Sequence, residues 1–423
     1  MTAPPRIPFP VVDEVSRHCR QEAEPETVHI EVHLTGHLDP VRLRKAFTEA
    51  LRRHPRILVR EAPGPWYRRR YEWELTEGPD VEAVSFPPPG KDALRDARAR
   101  ALAQAPPLTA SPPVRLEVVD GAVADGGRGS VLVLTLNHTA LDGPACLRVL
   151  ATAAEVYGGR DNAPAAPPVR PPGTPQGPPA VPSPWAPPAR VAPGTPERSP
   201  GNGMLVAELP LPHRPKGSPY TVNDQLMVAT ALTLAHWNRE RGAARRPLRI
   251  TMPVDDRPRD ATMPIGNGTR LVDVPFAPDE LDTADLPGLL RRTALRTRAL
   301  KSLPRPQLGH GAALLTAPWA PVACRAALTR ALRRAAAPWT STTLLSNIGR
   351  VPYPLDFGEE AGRAHAVWFS APARMPRGLT FTTASTAGRL HLALRWSRTL
   401  LGPGDGAYLR DLFEHHLHTT EAT

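Results

Sequence analysis

The residues best suited to chemistry lie in one stretch, Val131 to Gly143, which reads VLVLTLNHTALDG. Imidazole titrates near neutral pH, so His138, placed where an apolar run ends, is suited to take a proton from an attacking hydroxyl or amine. Asp142, four residues on, either orients that histidine or holds the turn through a distant arginine. Gly143 and Pro144 follow. Proline is favoured in a first helical turn, so CLRVLATAAEVY is expected to leave the site as a helix whose free N–H groups and partial positive charge face it. Taken alone, HxxxDG is a short motif that chance also supplies.

The elements that must position these groups follow from periodicity. Val131 to Leu136 reads as a buried strand. Asp13–Cys19 is expected to be a short helix, and Val28 to Leu34 a half-exposed strand with His29 and His33 on its polar face. Those two histidines could begin a metal site, but with no third ligand in view they read as solvated. Asp39 and Pro40 cap a helix whose Leu43, Ala46, Phe47, Ala50 and Leu51 share one face. Further strands are expected at 57–60, 66–75 and 114–119, with a helix at 91–103. The second half opens on a strand at 204–211, followed by a buried helix from Thr221 to Trp237 with a capping-box start. A strand at 248–254 ends in Asp255, Asp256 and Arg257, the two carboxylates reading as solvated. Helices are expected at 285–303, 321–337 and 405–418, a strand at 341–345, and a hairpin at 379–396. Strands followed by helices, twice over, point to two α/β layered subdomains.

The chain has 423 residues, a formal charge of +11 and 54 prolines. The charge fits an anionic partner such as nucleic acid, lipid, a phosphorylated cofactor or an acidic carrier protein. The best nucleic-acid stretch, WYRRRYEW at 66–73, reads better as a half-buried strand with a solvated arginine face. No apolar run is long enough to span a bilayer and the N-terminus lacks the features of a signal peptide, so a cytoplasmic protein is expected. Cys19, Cys146 and Cys324 are too widely spaced for a zinc site or a disulfide framework and read as buried apolar residues; no metal is expected. Fifteen of the forty residues at 161–200 are proline, which reads as a semi-rigid connector. The expected organisation is 1–160, a linker at 161–203, and 204–423.

NHTALDG resembles the HHxxxDG motif of the condensation-domain and CoA-dependent acyltransferase superfamily, which has the fold of chloramphenicol acetyltransferase. Five further blocks are similar and in the same order: DPVRLRKAFTEALRRHPRI, VNDQLMVATALTLA, MPVDDRP, IGNGT at 265–269 and LLSNIG at 344–349. The resemblance is strongest to stand-alone, polyketide-associated members. It implies two chloramphenicol-acetyltransferase-like α/β subdomains meeting in a V around a tunnel. It also implies His138 as catalytic base, Asp142 as a structural partner of Arg257, and a Gly143 N–H that helps hold an oxyanion. Ser346 and Asn347 would orient substrate from across the subdomain interface. The first motif histidine is Asn137 here, which loosens the link to peptide-forming members. The expected activity is transfer of an acyl group from a phosphopantetheine thioester, on CoA or an acyl carrier protein, to a hydroxyl or amine of a small-molecule acceptor in natural-product biosynthesis. The thioester is a co-substrate and no bound cofactor is expected; the protein is expected to be a monomer. The alternatives are a condensation-like protein with a different reaction, or a non-catalytic recruitment platform.

Overall fold

Strong caps and alternating apolar residues divide the chain into two sheets, each backed by helices. The computed structural model describes residues 4–121, 129–160, 186–259, 262–303, 307–308 and 311–421. The first half runs β1 (Arg6–Pro8), α1 (Val11–His18), β2 (Thr27–His33), α2 (Pro40–Arg53), β3 (Val59–Glu61), β4 (Glu72–Leu75), β5 (Val84–Ser85), α3 (Ala93–Ala103), β6 (Val114–Asp120), β7 (Ser130–Asn137) and α4 (Gly143–Tyr157). The second runs β8 (Asn202–Pro210), α5 (Val222–Glu240), β9 (Leu248–Val254), β10 (Arg270–Phe276), α6 (Leu286–Ser302), α7 (Gly311–Thr316), α8 (Val322–Ala335), β11 (Thr343–Arg350), β12 (Ala366–Ser370), β13 (Leu379–Thr386), β14 (Arg389–Ser397) and α9 (Pro403–Thr419).

The first sheet has the order β12-β2-β7-β6-β5, the second β10-β9-β11-β13-β14-β8, and a small third sheet is β1-β4-β3. In the first sheet β7 lies between β2 and β6 and is antiparallel to both. Its eight residues are buried on both faces, which is why VLVLTL is an unbroken apolar run rather than an alternating one. The capped helix α2 places Leu43, Ala46, Phe47, Ala50 and Leu51 in the core, with the Asp39 carboxylate accepting from the Arg42 N–H at 2.6 Å. Helix α4 is buried almost throughout. In the second half, Asp224 closes the capping box of α5 through the Thr221 N–H at 2.8 Å.

The two halves are not sealed by sequence order. Strand β12 leaves the second half and pairs antiparallel with β2, Ala366 opposite His33 and Ser370 opposite His29. Its Trp368 indole meanwhile donates to the Ala207 carbonyl on β8 at 3.1 Å. From β14, the fully buried Arg395 donates to the Thr27 carbonyl on β2 at 2.7 Å.

Several local expectations need correction. His29 and His33 are buried, not solvated, because α3 lies over their face of β2: Arg98 of α3 grips Glu31 at 2.6 Å, and Glu31 in turn holds His33 at 2.6 Å. Among the described residues no group of three or more potential ligands could hold a metal. Residues 66–71 are a turn rather than strand; Trp66 and Tyr67 are exposed, while Tyr71 and Trp73 are buried. Cys324 is exposed on α8, unlike Cys19 and Cys146. Residues 161–185 of the expected connector lie outside the described residues. Its remainder is packed at 189–192, with Ala189, Val191 and Ala192 in the second core and Trp237 donating to the Ala192 carbonyl at 2.9 Å. No described helix is long and apolar enough to cross a membrane.

Candidate active site

Strand β7 ends at Asn137, and the next five residues turn the chain into α4 over a cavity of about 650 Å³ between the two sheets. His138, Asp142 and Gly143 line it from the first half; Asp255, Ser346 and Asn347 line it from the second. The His138 N–H donates to the Glu26 carbonyl at 2.9 Å, which fixes the backbone of the turn. Its ring nitrogen Nδ1 lies 2.9 Å from the Leu141 carbonyl oxygen. A carbonyl can only accept, so Nδ1 carries the proton in the neutral ring and Nε2 is left with its lone pair. That is the tautomer a general base needs.

Asp142 does not touch this ring nitrogen. One of its oxygens accepts the Ala145 N–H at 3.0 Å and so caps α4; the other accepts the Gly268 N–H at 2.8 Å and Arg257 Nη2 at 2.7 Å. Arg257 is a hub. Its Nε and Nη2 also bind Asp255, each at 2.9 Å, and Nη1 donates to the carbonyls of Pro264 and Gly266 at 3.2 and 3.1 Å. Burial works against the charged guanidinium, but the bonds to Asp255 and Asp142 outweigh it and raise its pKa above the ordinary arginine value. Asp255 is therefore paired and largely covered rather than solvated; Asp256 is exposed and pairs with Arg270 at 2.7 Å.

Asn137 is buried and faces away from the cavity. Its amide donates to the Pro106 carbonyl at 2.9 Å and its oxygen accepts the Thr139 N–H at 3.1 Å, so it braces the turn from behind. Gly143 is the first residue of α4, so its N–H is one of those a helix leaves without an intrahelical partner. A Cβ there would meet the Phe369 ring at 3.4 Å, which ties this position to close packing against β12. Ser346 and Asn347 sit on β11 beside a bulge against β13. The Asn347 oxygen accepts the Gly349 N–H at 2.9 Å and the Thr383 hydroxyl at 3.2 Å, which holds that bulge, while its amide nitrogen donates to the Asn223 oxygen of α5 at 3.3 Å.

Sequence reasoning missed three contributors. Asn267, within IGNGT, sends its amide to the carbonyls of His138 and Thr139 at 3.1 and 3.0 Å and to Asp13 at 2.9 Å, pinning the second half to the His138 turn. Asp13, fully buried behind that turn, also accepts the Trp73 indole N–H at 2.8 Å; burial nevertheless pushes its pKa up to about 6. Arg374 lines the cavity and pairs with Glu26. An Asn in a Gly-rich loop and a carboxylate in an amphipathic helix give no local signal of such roles.

The whole chain superposes on solved condensation domains. It covers 100% of itself and 99% of the condensation domain of the monacolin K polyketide synthase MokA at a TM-score of 0.64 and 13% identity. For the first condensation domain of the CDA synthetase the values are 99%, 97%, 0.61 and 15%. The chain has the condensation-domain fold. The same two-subdomain, chloramphenicol-acetyltransferase-like architecture extends to the trichothecene 15-O-acetyltransferase of Fusarium sporotrichioides, with a TM-score of 0.62, 11% identity, and coverage of 98% and 95%. By sequence, the chain is similar to an uncharacterized protein of Mycobacterium tuberculosis, present in two strains, at 29% identity over 390 residues, or 82% of this chain and 84% of the relative. No protein-family profile matches. In the condensation-domain fold, then, the His138 turn and the Arg257 hub meet at the seam of the two subdomains.

Proposed function

We propose that this protein is an acyltransferase that moves an acyl group from a phosphopantetheine thioester, on CoA or an acyl carrier protein, to a hydroxyl or amine of a small-molecule acceptor in natural-product biosynthesis. The observation that carries the reading is the His138 ring, locked by Leu141 with Nε2 free on a cavity that both subdomains line. The acceptor loses its proton to Nε2 as its oxygen or nitrogen attacks the thioester carbonyl. The tetrahedral oxyanion forms near the N-terminus of α4, where the Gly143 N–H and the helix dipole favour negative charge. Collapse breaks the C–S bond, and the proton on Nε2 passes to the departing sulfur, leaving ester or amide and free thiol.

Asp142 and Arg257 act through architecture: they hold the start of α4 against the 255–268 loop, and with it the base. Ser346, also on the cavity wall, orients substrate from the second subdomain. Asn137 braces the turn from behind, so its replacement of a histidine leaves the cavity face unchanged. The solved acetyltransferase of this fold supports an oxygen acceptor, and the basic charge of the chain supports a phosphorylated or acidic donor.

The test is turnover of candidate acyl-CoA and acyl-carrier thioesters by wild type and His138→Ala. Loss of a general base lowers the rate roughly 10²–10⁴-fold; unchanged turnover with the folded variant sinks the base assignment.

A further inference from the structure

Two arginines of the same loop line the same cavity and are treated differently. Arg374 has its counter-charge: it pairs with Glu26 and donates to the Cys19 carbonyl at 3.0 Å. Arg377, three residues on, has none within ion-pair distance among the described residues. Its Nε donates to the Ser341 hydroxyl at 3.0 Å and its Nη2 to the Thr251 hydroxyl at 3.2 Å. Both hydroxyls are buried, so these bonds anchor one edge of the guanidinium in the wall and fix its aim. The carboxylate that acts on it, Asp273, does so through space from beyond ion-pair distance, while accepting the Thr251 hydroxyl at 2.7 Å.

The neighbours add charge of the same sign. Arg333, from α8, lines the same end of the cavity and makes no hydrogen bond or ion pair among the described residues. Arg190 stands behind the loop, donating to the Pro376 carbonyl at 2.9 Å. Burial, with Arg374, Arg333 and Arg190 nearby, lowers the Arg377 pKa to about 10. Taking a cation out of water costs free energy unless it is paired, so a guanidinium held this way is a fixed receptor lacking its anion. Thr251 lies four residues before Asp255, the partner of Arg257, so this receptor stands roughly 13 Å along an extended strand from that hub.

We propose that the Arg377 end of the cavity is an oxyanion subsite that takes a terminal carboxylate or sulfate of the small-molecule substrate. That the bound molecule is the substrate rests on the acyltransferase reading; the binding itself does not. A terminal group is favoured over the phosphate of a carrier-tethered arm, which must stay at a cavity mouth beside its carrier. Arg377, by contrast, is anchored to the buried hydroxyls of Thr251 on β9 and of Ser341 just before β11.

Isothermal titration of the full chain with octanoate and its neutral counterpart octanamide tests this. Octanoate is expected to bind at least tenfold more tightly, by the strength of a charge-assisted bond. Arg377→Gln erases the preference, Arg377→Lys keeps part of it, and His138→Ala leaves it intact. Arg333→Gln weakens the preference and serves as the deciding variant should Arg377→Gln fail to fold, as judged by circular dichroism. Equal binding of the two probes by wild type, or an undiminished preference in the folded variants, overturns the proposal. So does an Arg377-dependent preference for pantetheine 4′-phosphate over pantetheine without one for octanoate, which would assign the subsite to the donor arm. Arg377-dependent octanoate binding in a protein that transfers no acyl group would keep the subsite and remove the acyltransferase reading.

Discussion

Arg257 and Arg377 are both arginines on the wall of one cleft, and they differ in what balances them. Around Arg257 every charge is answered: two carboxylates and two carbonyls take up its donors, and the result is a rigid joint between α4 and the second subdomain. Around Arg377 only neutral hydroxyls are in contact, and the nearby charges are mostly of its own sign. The difference teaches how to tell architecture from recognition in a cleft. Charge that is already compensated holds the protein together; charge that is fixed but uncompensated waits for something brought from outside.

Stability measurements can break this contrast. Arg257→Ala leaves Asp142 and Asp255 as buried carboxylates without their partner, and is expected to cost about 3–5 kcal/mol, read as a lowered midpoint in chemical denaturation. A loss below about 1 kcal/mol, the scale of an exposed ion pair, would mean the hub is not a joint. Arg377→Leu should behave in the opposite way, with a midpoint unchanged or raised, since it removes an unpaired cation from the wall. A drop as large as that of Arg257→Ala would erase the distinction between the two sites.

His29 offers a gentler version of the Arg377 problem. It is fully buried on β2 with neither ring nitrogen hydrogen-bonded, and it resolves the conflict by staying neutral: burial pushes its pKa down to about 3 against the pull of Glu31. Buried His18, His54 and His416 are lowered to about 4 in the same way. A histidine whose folded pKa lies below its unfolded value near 6.5 takes up a proton more readily when unfolded. Stability from these groups is therefore full above about pH 6.5 and is lost as pH falls toward 3–4. Urea titrations across that window should show the decline, and His29→Leu should flatten it; an unchanged acid limb in that variant would contradict the assignment.

The His138 turn and the Asp142–Arg257 joint were legible in the sequence to different depths. His138 and Asp142 stand out because an apolar strand, a turn and a capped helix are local patterns, and the motif lies where they meet. Arg257 is 115 positions from its partner, and only the ordered resemblance of several blocks connected the two. Arg377, Asn267 and Asp13 acquire their meaning from convergence of distant segments, which no periodicity encodes. Strand β10 has no counterpart among the expected strands although its buried and exposed residues alternate; it sits on a sheet edge, where Pro275 is tolerated. His29 and His33 were misread because a polar residue on an alternating strand implies solvent only when nothing covers that face.

Strand β12 has a consequence for any attempt to take the molecule apart. It supplies the rim of a sheet whose other strands come from the first half, while its tryptophan is moored to β8. A fragment ending at residue 160 would present β2 as a bare edge with unpaired backbone groups, a template for aggregation. The subdomains are thus interlaced, and the first half of the chain does not finish its own sheet without the second.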